Sequence, residues 1–197
     1  MILARLFKDQ ITGFYVDVGA HHPQRFSNTY YFYLQGWRGI NIDAMPGSMD
    51  LFKMLRPQDI NIEVAISDIS QFSTYYIFNE PALNTFSETL ANEYSTIQEY
   101  EILETRQIKT EKLSSLLEKY LEPNQEIDFM SIDVEGLDYK VLSSNDWARF
   151  KPKAIVVEAL SESLSKPDEQ RISTLLSQNG YTLKSTLINS MIFTRKD

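Results

Sequence analysis

Short apolar runs alternate with segments of helical period along this chain of 197 residues, a pattern that favours a parallel sheet flanked by helices. Phe14–Val18, Gly39–Asp43, Asn61–Ile66, Ile127–Asp133 and Ala154–Glu158 are rich in β-branched or aromatic residues and bounded by turn formers, so each reads as a strand. Tyr181–Ser185 and Met191–Thr194 predict an antiparallel pair turned over Asn189 and Ser190. Met49, Phe52 and Leu55 recur at helical spacing behind Ser48, an N-cap candidate, and Pro57 blocks continuation. Leu113, Leu116, Leu117 and Tyr120 mark a second helix over 112–121, closed by Pro123 and Asn124. Ser165–Asp168 resembles a capping start to a third, which buries Ile172, Leu175 and Leu176 and ends near Gly180. Phe72–Tyr100 is less regular: a strand over Thr74–Phe78 runs into a polar stretch rich in Thr and Asn. We read this region, 72–105 at its widest, as a lid or acceptor-side insertion. With no repeat and no linker, the chain 1–197 reads as a single α/β domain.

Charge and cysteine content narrow the partners. A formal net charge of −8, with no dense Lys/Arg cluster, repels a phosphate backbone, so nucleic acid is not an expected partner. The chain has no cysteine and so neither a disulfide nor a thiolate metal site, which makes the cytoplasm the expected compartment. Met1–Phe7 is apolar, but Arg5 interrupts it and it is too short for a signal-peptide core or a membrane span.

In an open parallel sheet, ligands bind beyond the carboxyl ends of the strands, and several acids end apolar runs here. Asp17 stands near the end of the first strand, followed by Gly19, where a small residue lets the backbone turn and approach a ligand. Asp43 ends the second, placed to accept hydrogen bonds from both hydroxyls of a ribose. Together they imply an adenosine ligand. A dinucleotide site wants Gly-x-Gly-x-x-Gly, whereas Gly19–Pro23 holds one glycine, two imidazoles and a proline, which disfavours a nicotinamide cofactor. A cationic sulfonium suits Asp17 better. Asp133 and Glu135 share a face if the fourth strand persists through them, a crowding of like charge that points to a functional site. Glu158 ends the fifth strand, within reach of an Mg2+ ion shared with Asp133.

Phe14–Pro23, Gly39–Pro46, Val64–Asp68 and Ile132–Gly136, in that order, resemble the motifs of the FkbM-type methyltransferase family, and the likeness runs from about Gly13 to Glu158. The resemblance implies a class I methyltransferase (Rossmann-like) fold: a seven-stranded, mostly parallel sheet with its last strand inserted antiparallel, and helices on both faces. It implies S-adenosyl-L-methionine as cofactor, with Asp17, Gly19, Ala20 and Asn28 around the first loop and Asp43 and Ala44 at the ribose. Ser67 and Asp68 then fall beside the adenine, and Asp133 and Glu135 at the floor of the reaction site. Members methylate hydroxyls of sugars, glycans or secondary metabolites, so a small-molecule or glycan acceptor is expected. His21-His22-Pro23 departs from the family's usual asparagine and second glycine and is nearer a bacterial subgroup associated with polysaccharide assembly.

Transfer of a methyl group to an alcohol needs a base, or a metal that lowers the alcohol's pKa. Two arrangements satisfy this. Either His21 or His22 takes the proton while Asp133 and Glu135 orient the imidazole or the hydroxyl, or Asp133 and Glu158 hold magnesium; for each histidine, capping of the first helix or packing under Pro23 is the alternative reading. The aromatic run Phe26, Tyr30, Tyr31, Phe32 and Tyr33 reads as core, with an acceptor wall as the alternative, and Asn84–Ser87 reads as a solvated loop, with contact to the cofactor or acceptor as the alternative. A non-catalytic module for an adenosine ligand or nucleotide sugar is the competing function, distinguished by lack of turnover.

Overall fold

The computed structural model describes residues 2–158, 166–187 and 190–196, with Glu158, Lys166 and Pro167 in backbone only. The strands are β1 (Phe14–Val18), β2 (Arg38–Asp43), β3 (Ile60–Glu63), β4 (Ala65–Ile66), β5 (Phe72–Phe78), β6 (Ile102–Glu111), β7 (Phe129–Ile132), β8 (Ala154–Glu158), β9 (Tyr181–Leu187) and β10 (Ser190–Arg195). The helices are α1 (Ile2–Leu6), α2 (Tyr30–Leu34), α3 (Ser48–Leu55), α4 (Glu88–Tyr94), α5 (Leu113–Tyr120), α6 (Asp138–Ser143) and α7 (Lys166–Gln178). Seven strands pair in the order β3-β2-β1-β7-β8-β10-β9. The first five are parallel, and β10 enters antiparallel between β8 and β9, as expected of the class I methyltransferase fold.

Side chains alternate across the sheet and divide the core. Val16, Ile40, Met130 and Ile155 pack on one face with Leu113, Leu116 and Leu117 of α5 and Ile172 and Leu176 of α7. Tyr15, Phe129 and Val156 pack on the other with Leu3, Phe32 and Trp37.

Three readings change. Asn61–Ile66 is not one strand: it breaks at Val64, and β4 leaves the main sheet to pair with β6 in a second sheet, β4-β6-β5. With β2 ended at Asp43, residues beyond Val64 have no partner there and find one in β6. Ser48 is the first residue of α3, and its N-cap is Gly47, left-handed at φ +81°. The fourth strand stops at Ile132, so Asp133 lies beyond it. Ser165 and Asn189, expected at a cap and a turn, lie outside the described residues.

Candidate active site

β1, β2 and β7 end at one cavity of about 350 Å3, a size suited to a small-molecule ligand. On the face that carries Tyr15, register sets Asn41, Asp17 and Ser131 side by side across the three strands. All three are buried, so this row of the sheet is polar where its neighbours are apolar, and its groups need partners. Asp17 Oδ2 accepts a 2.6 Å bond from the Thr29 hydroxyl, and Asn28 Nδ2 donates to Ser131 Oγ at 3.1 Å. Burial pushes the Asp17 carboxyl up to about 6; the Thr29 hydroxyl and the Arg56 guanidinium pull it down, and Asp133 pushes it up.

Gly19 turns the chain at φ +81°, and the N–H groups of Gly19 and Ala20 both donate to the Ile42 carbonyl, at 2.9 and 3.0 Å. The loop from Gly19 to Thr29 therefore passes over β2 before α2 begins, and no helix N-terminus follows β1 directly. Asp43, at the end of β2, accepts from the N–H of His21 at Oδ2 and of Met45 at Oδ1, each at 2.8 Å. Those bonds fix its orientation and favour the carboxylate, although burial outweighs them and raises its pKa.

Beyond β7 the chain does not continue as a strand through Asp133 and Glu135. Glu135 takes φ +47° and Gly136 φ +89°, so Glu135 lies in a turn and shares no strand face with Asp133. Burial, then the Asp133 carboxylate, pushes Glu135 up to about 7, and the Tyr94 hydroxyl, donating to its Oε2 at 3.1 Å, pulls it back. Asp138, the first residue of α6, is also pushed up to about 7 by burial and by Asp133.

β5 and the segment that follows it supply the facing wall. Tyr75, Asn84 and Phe86 line the cavity, with the Tyr75 and Phe86 ring centroids 4.5 Å apart. Thr85 is 1% exposed: its backbone pairs with Tyr76 and its hydroxyl donates to the Glu135 carbonyl at 2.9 Å. The solvated-loop reading of Asn84–Ser87 is thereby overturned. The aromatic run splits as well, with Phe32 in the core and Phe26, 81% exposed at φ +56°, at the cavity wall under the Arg25 guanidinium.

The profile of the methyltransferase FkbM domain matches residues 17–183. The chain belongs to the FkbM methyltransferase family. Solved structures of low identity share its fold. An FkbM methyltransferase from Methylobacillus flagellatus superposes with a TM-score of 0.56 at 11% identity, over 93% of this chain and 43% of that one, so this chain spans less than half of that protein's length. Burkholderia thailandensis 1,6-didemethyltoxoflavin-N1-methyltransferase, solved with 1,6-didemethyltoxoflavin and S-adenosylhomocysteine bound, gives 0.50 at 12% identity over 100% of this chain and 76% of its own. A TehB-like S-adenosylmethionine-dependent methyltransferase from Corynebacterium glutamicum gives 0.50 at 12% over 98% and 86%. No curated protein sequence gives a significant match.

Of the residues expected at the cofactor of an FkbM protein, Asp17, Gly19, Ala20, Asn28, Asp43, Ala44 and Asp133 line the cavity, as do His21 and Glu135. Ser67 and Asp68 are not among the lining residues. The Ser67 N–H donates to Glu111 at the end of β6 and its hydroxyl donates to Asp68, while Val64 and Ile66 face the cavity instead. His22 is also outside the lining. Its Nδ1 accepts the N–H groups of Gln24 (3.0 Å) and Arg25 (2.9 Å), so this imidazole closes a turn and is not placed as a base. Burial, then the charges of His21 and Arg25, lower its pKa. Among the described residues no group of three or more acids or histidines is arranged to hold a metal ion, and the Glu158 side chain lies outside them. Tyr75, Tyr94 and Asp138 escaped the sequence reading. The helix-starting position of Asp138 just after Gly136 was its one available signal.

Proposed function

We propose that this FkbM-family protein binds S-adenosylmethionine and transfers its methyl group to a hydroxyl of a sugar, glycan or related small acceptor. The observation that carries the reading is the convergence of Asp17, Asp43, Asp133 and Glu135 on one cavity in which Arg25 is the single Lys or Arg among the lining residues. Crowded, desolvated carboxyls are stabilised when a cation enters, and an adenosine that bears a sulfonium and an ammonium meets that need. Asp43, already held by two backbone N–H groups, presents its remaining lone pairs to a ribose.

S-Adenosylmethionine supplies a methyl group already activated on sulfur. The protein must align the acceptor oxygen with that methyl group and take the proton the oxygen releases. We assign the proton to Glu135: its carboxyl is poised near neutrality and oriented by Tyr94. With S-adenosylmethionine bound as methyl donor, Glu135 would take the proton that the acceptor hydroxyl releases as it is methylated, and S-adenosylhomocysteine and a methyl ether would be the products. Tyr75 and Phe86, packed ring on ring at the cavity, would meet the acceptor there, giving residues 72–105 the role of an acceptor-side wall.

The test is calorimetric titration with S-adenosylmethionine, S-adenosylhomocysteine and NAD, with Asp43→Ala in parallel, followed by transfer of labelled methyl to monosaccharides, nucleotide sugars and oligosaccharides. Micromolar binding of the first two ligands, lost in the variant, and label on a sugar oxygen are expected. Preference for NAD overturns the cofactor assignment. Binding with no transfer to any acceptor points to a non-catalytic adenosine-binding module.

A further inference from the structure

Arg56, one residue past α3, is fully buried, and it is not among the residues that line the cavity. Its Nε donates to Asp59 Oδ2 at 2.9 Å, its Nη2 to the hydroxyls of Tyr15 (2.7 Å) and Thr29 (2.9 Å), and its Nη1 to the Pro23 carbonyl at 3.3 Å. The rings of Tyr15, Tyr33 and Phe52 surround it, with centroids 5.2 to 5.4 Å from the guanidinium carbon. A charge so enclosed is strongly unfavourable unless paired, and Asp59 is its ion-pair partner. Asp59 is itself saturated by Tyr15, Asn41 and the Gly39 N–H.

The second arm of the guanidinium leads to the cavity. Thr29 has one hydroxyl proton, which it gives to Asp17 while it accepts from Arg56. Asp59, Arg56 and Asp17 thus form a buried series of two acids and one base joined through Thr29. The uncompensated negative charge is the one that reaches the cavity wall.

We infer that Arg56 and Thr29 act as a positioning relay that holds the Asp17 carboxylate ionised and aimed at the cationic end of the bound cofactor. The relay rests on the reading of this cavity as a site for S-adenosylmethionine. Around Asp17, Thr29 from the loop and Arg56 from the end of α3 favour the charged form, as does the Ser131 hydroxyl of β7 to a smaller extent, Asp133 beyond β7 opposes it, and Asn41 of β2 flanks it uncharged. His21 stands on the same cavity wall.

Thr29→Val keeps the shape of the side chain and removes both bonds. The experiment measures the affinity of S-adenosylmethionine and of 5′-methylthioadenosine, which lacks the sulfonium and the amino-acid end, from pH 5.5 to 8.5, with melting temperature as the control for folding. In Thr29→Val the pH at which S-adenosylmethionine affinity is half-developed should rise by about one unit, a roughly tenfold loss on the acidic side. Methylthioadenosine should bind as in the wild type, and Thr29→Ser should restore the profile. Equal losses for both ligands at every pH, or a superimposable profile, overturn the relay; wild-type protein that fails to bind S-adenosylmethionine overturns the relay and the proposed function together. Should Thr29→Val fail to fold, Thr29→Ala carries the same comparison.

Discussion

The carbonyl oxygen of Asp133 lies 1.7 Å from the point where a Cβ on Gly19 would stand. β1 and β7 leave the sheet side by side, with the Asp133 N–H donating to Val18 at 2.9 Å, so the loop after β1 and the turn after β7 meet at the cavity in backbone contact. One atom added at Gly19 would part the two segments that carry Asp17 and Asp133.

Gly19→Ala should therefore cost about 2–4 kcal/mol, from overpacking and a left-handed backbone together. Gly36→Ala is the control: φ there is +90°, but nothing lies within 4 Å of the added atom. It should cost about 1 kcal/mol, from conformation alone. Thermal unfolding measures the difference, and titration with S-adenosylhomocysteine should show binding lost at Gly19 and kept at Gly36.

Asp43→Asn retains acceptance from one of the two N–H groups at His21 and Met45 and loses the charge. Cofactor affinity should fall about thirtyfold, the worth of about 2 kcal/mol of charge-assisted hydrogen bonding, with the melting temperature little changed. Equal affinity in calorimetry would remove Asp43 from the ribose.

Glu135→Gln should lower kcat by a hundredfold or more, on the order expected for a lost general base, while leaving cofactor affinity within about threefold. Activity in the wild type should rise with pH as Glu135 ionises from about 7. Because the Tyr94 hydroxyl pulls that value down, Tyr94→Phe should move the rising limb of the pH–rate profile to higher pH. A limb that stays in place would argue against Glu135 as the proton acceptor.

Asp138 is held near 7 in the fold against an ordinary value of 3.8, so the folded protein keeps a proton that the unfolded chain has released. Its contribution to stability is full below about 4 and is lost as pH rises through about 7. Asp17 and Glu135, raised to about 6 and about 7, act in the same direction. Asp138→Asn keeps an acceptor for the Val134 N–H and removes the charge, so it should stabilise the protein by roughly 2 kcal/mol at pH 8 and by nothing measurable near pH 4. Denaturant melts at the two pH values check the sign.

Much of the sheet was legible because fully buried parallel strands write themselves as continuous apolar runs: Phe14–Val18 and Ala154–Glu158 have the predicted bounds. β6 was not, since most of its residues are exposed, with Glu104, Arg106 and Lys109 interrupting any alternating pattern, and its pairing with β5 and β4 is set by distant partners. Among site residues, Asp17, Asp43 and Asp133 were readable as acids at the ends of apolar runs. His22 and His21 were equivalent as letters, and only the turn at Gln24 and Arg25 separates the capping imidazole from the one at the cavity.

What the sequence by itself determined is the family, most strands of the main sheet, the helices α3, α5 and α7, and the acids at the ends of three neighbouring strands, because these follow from local periodicity and from motifs a few residues long. Tertiary structure alone decided that Arg56 sits sealed beneath Thr29 and Asp17, that Tyr94 meets Glu135, and that Tyr75 and Phe86 close the cavity wall. The physical reason is that a buried charge is defined by its partners. Arg56 between a leucine and a proline reads as an exposed helix end until strand register and the loop over β2 bring Asp59, Tyr15 and Thr29 around it.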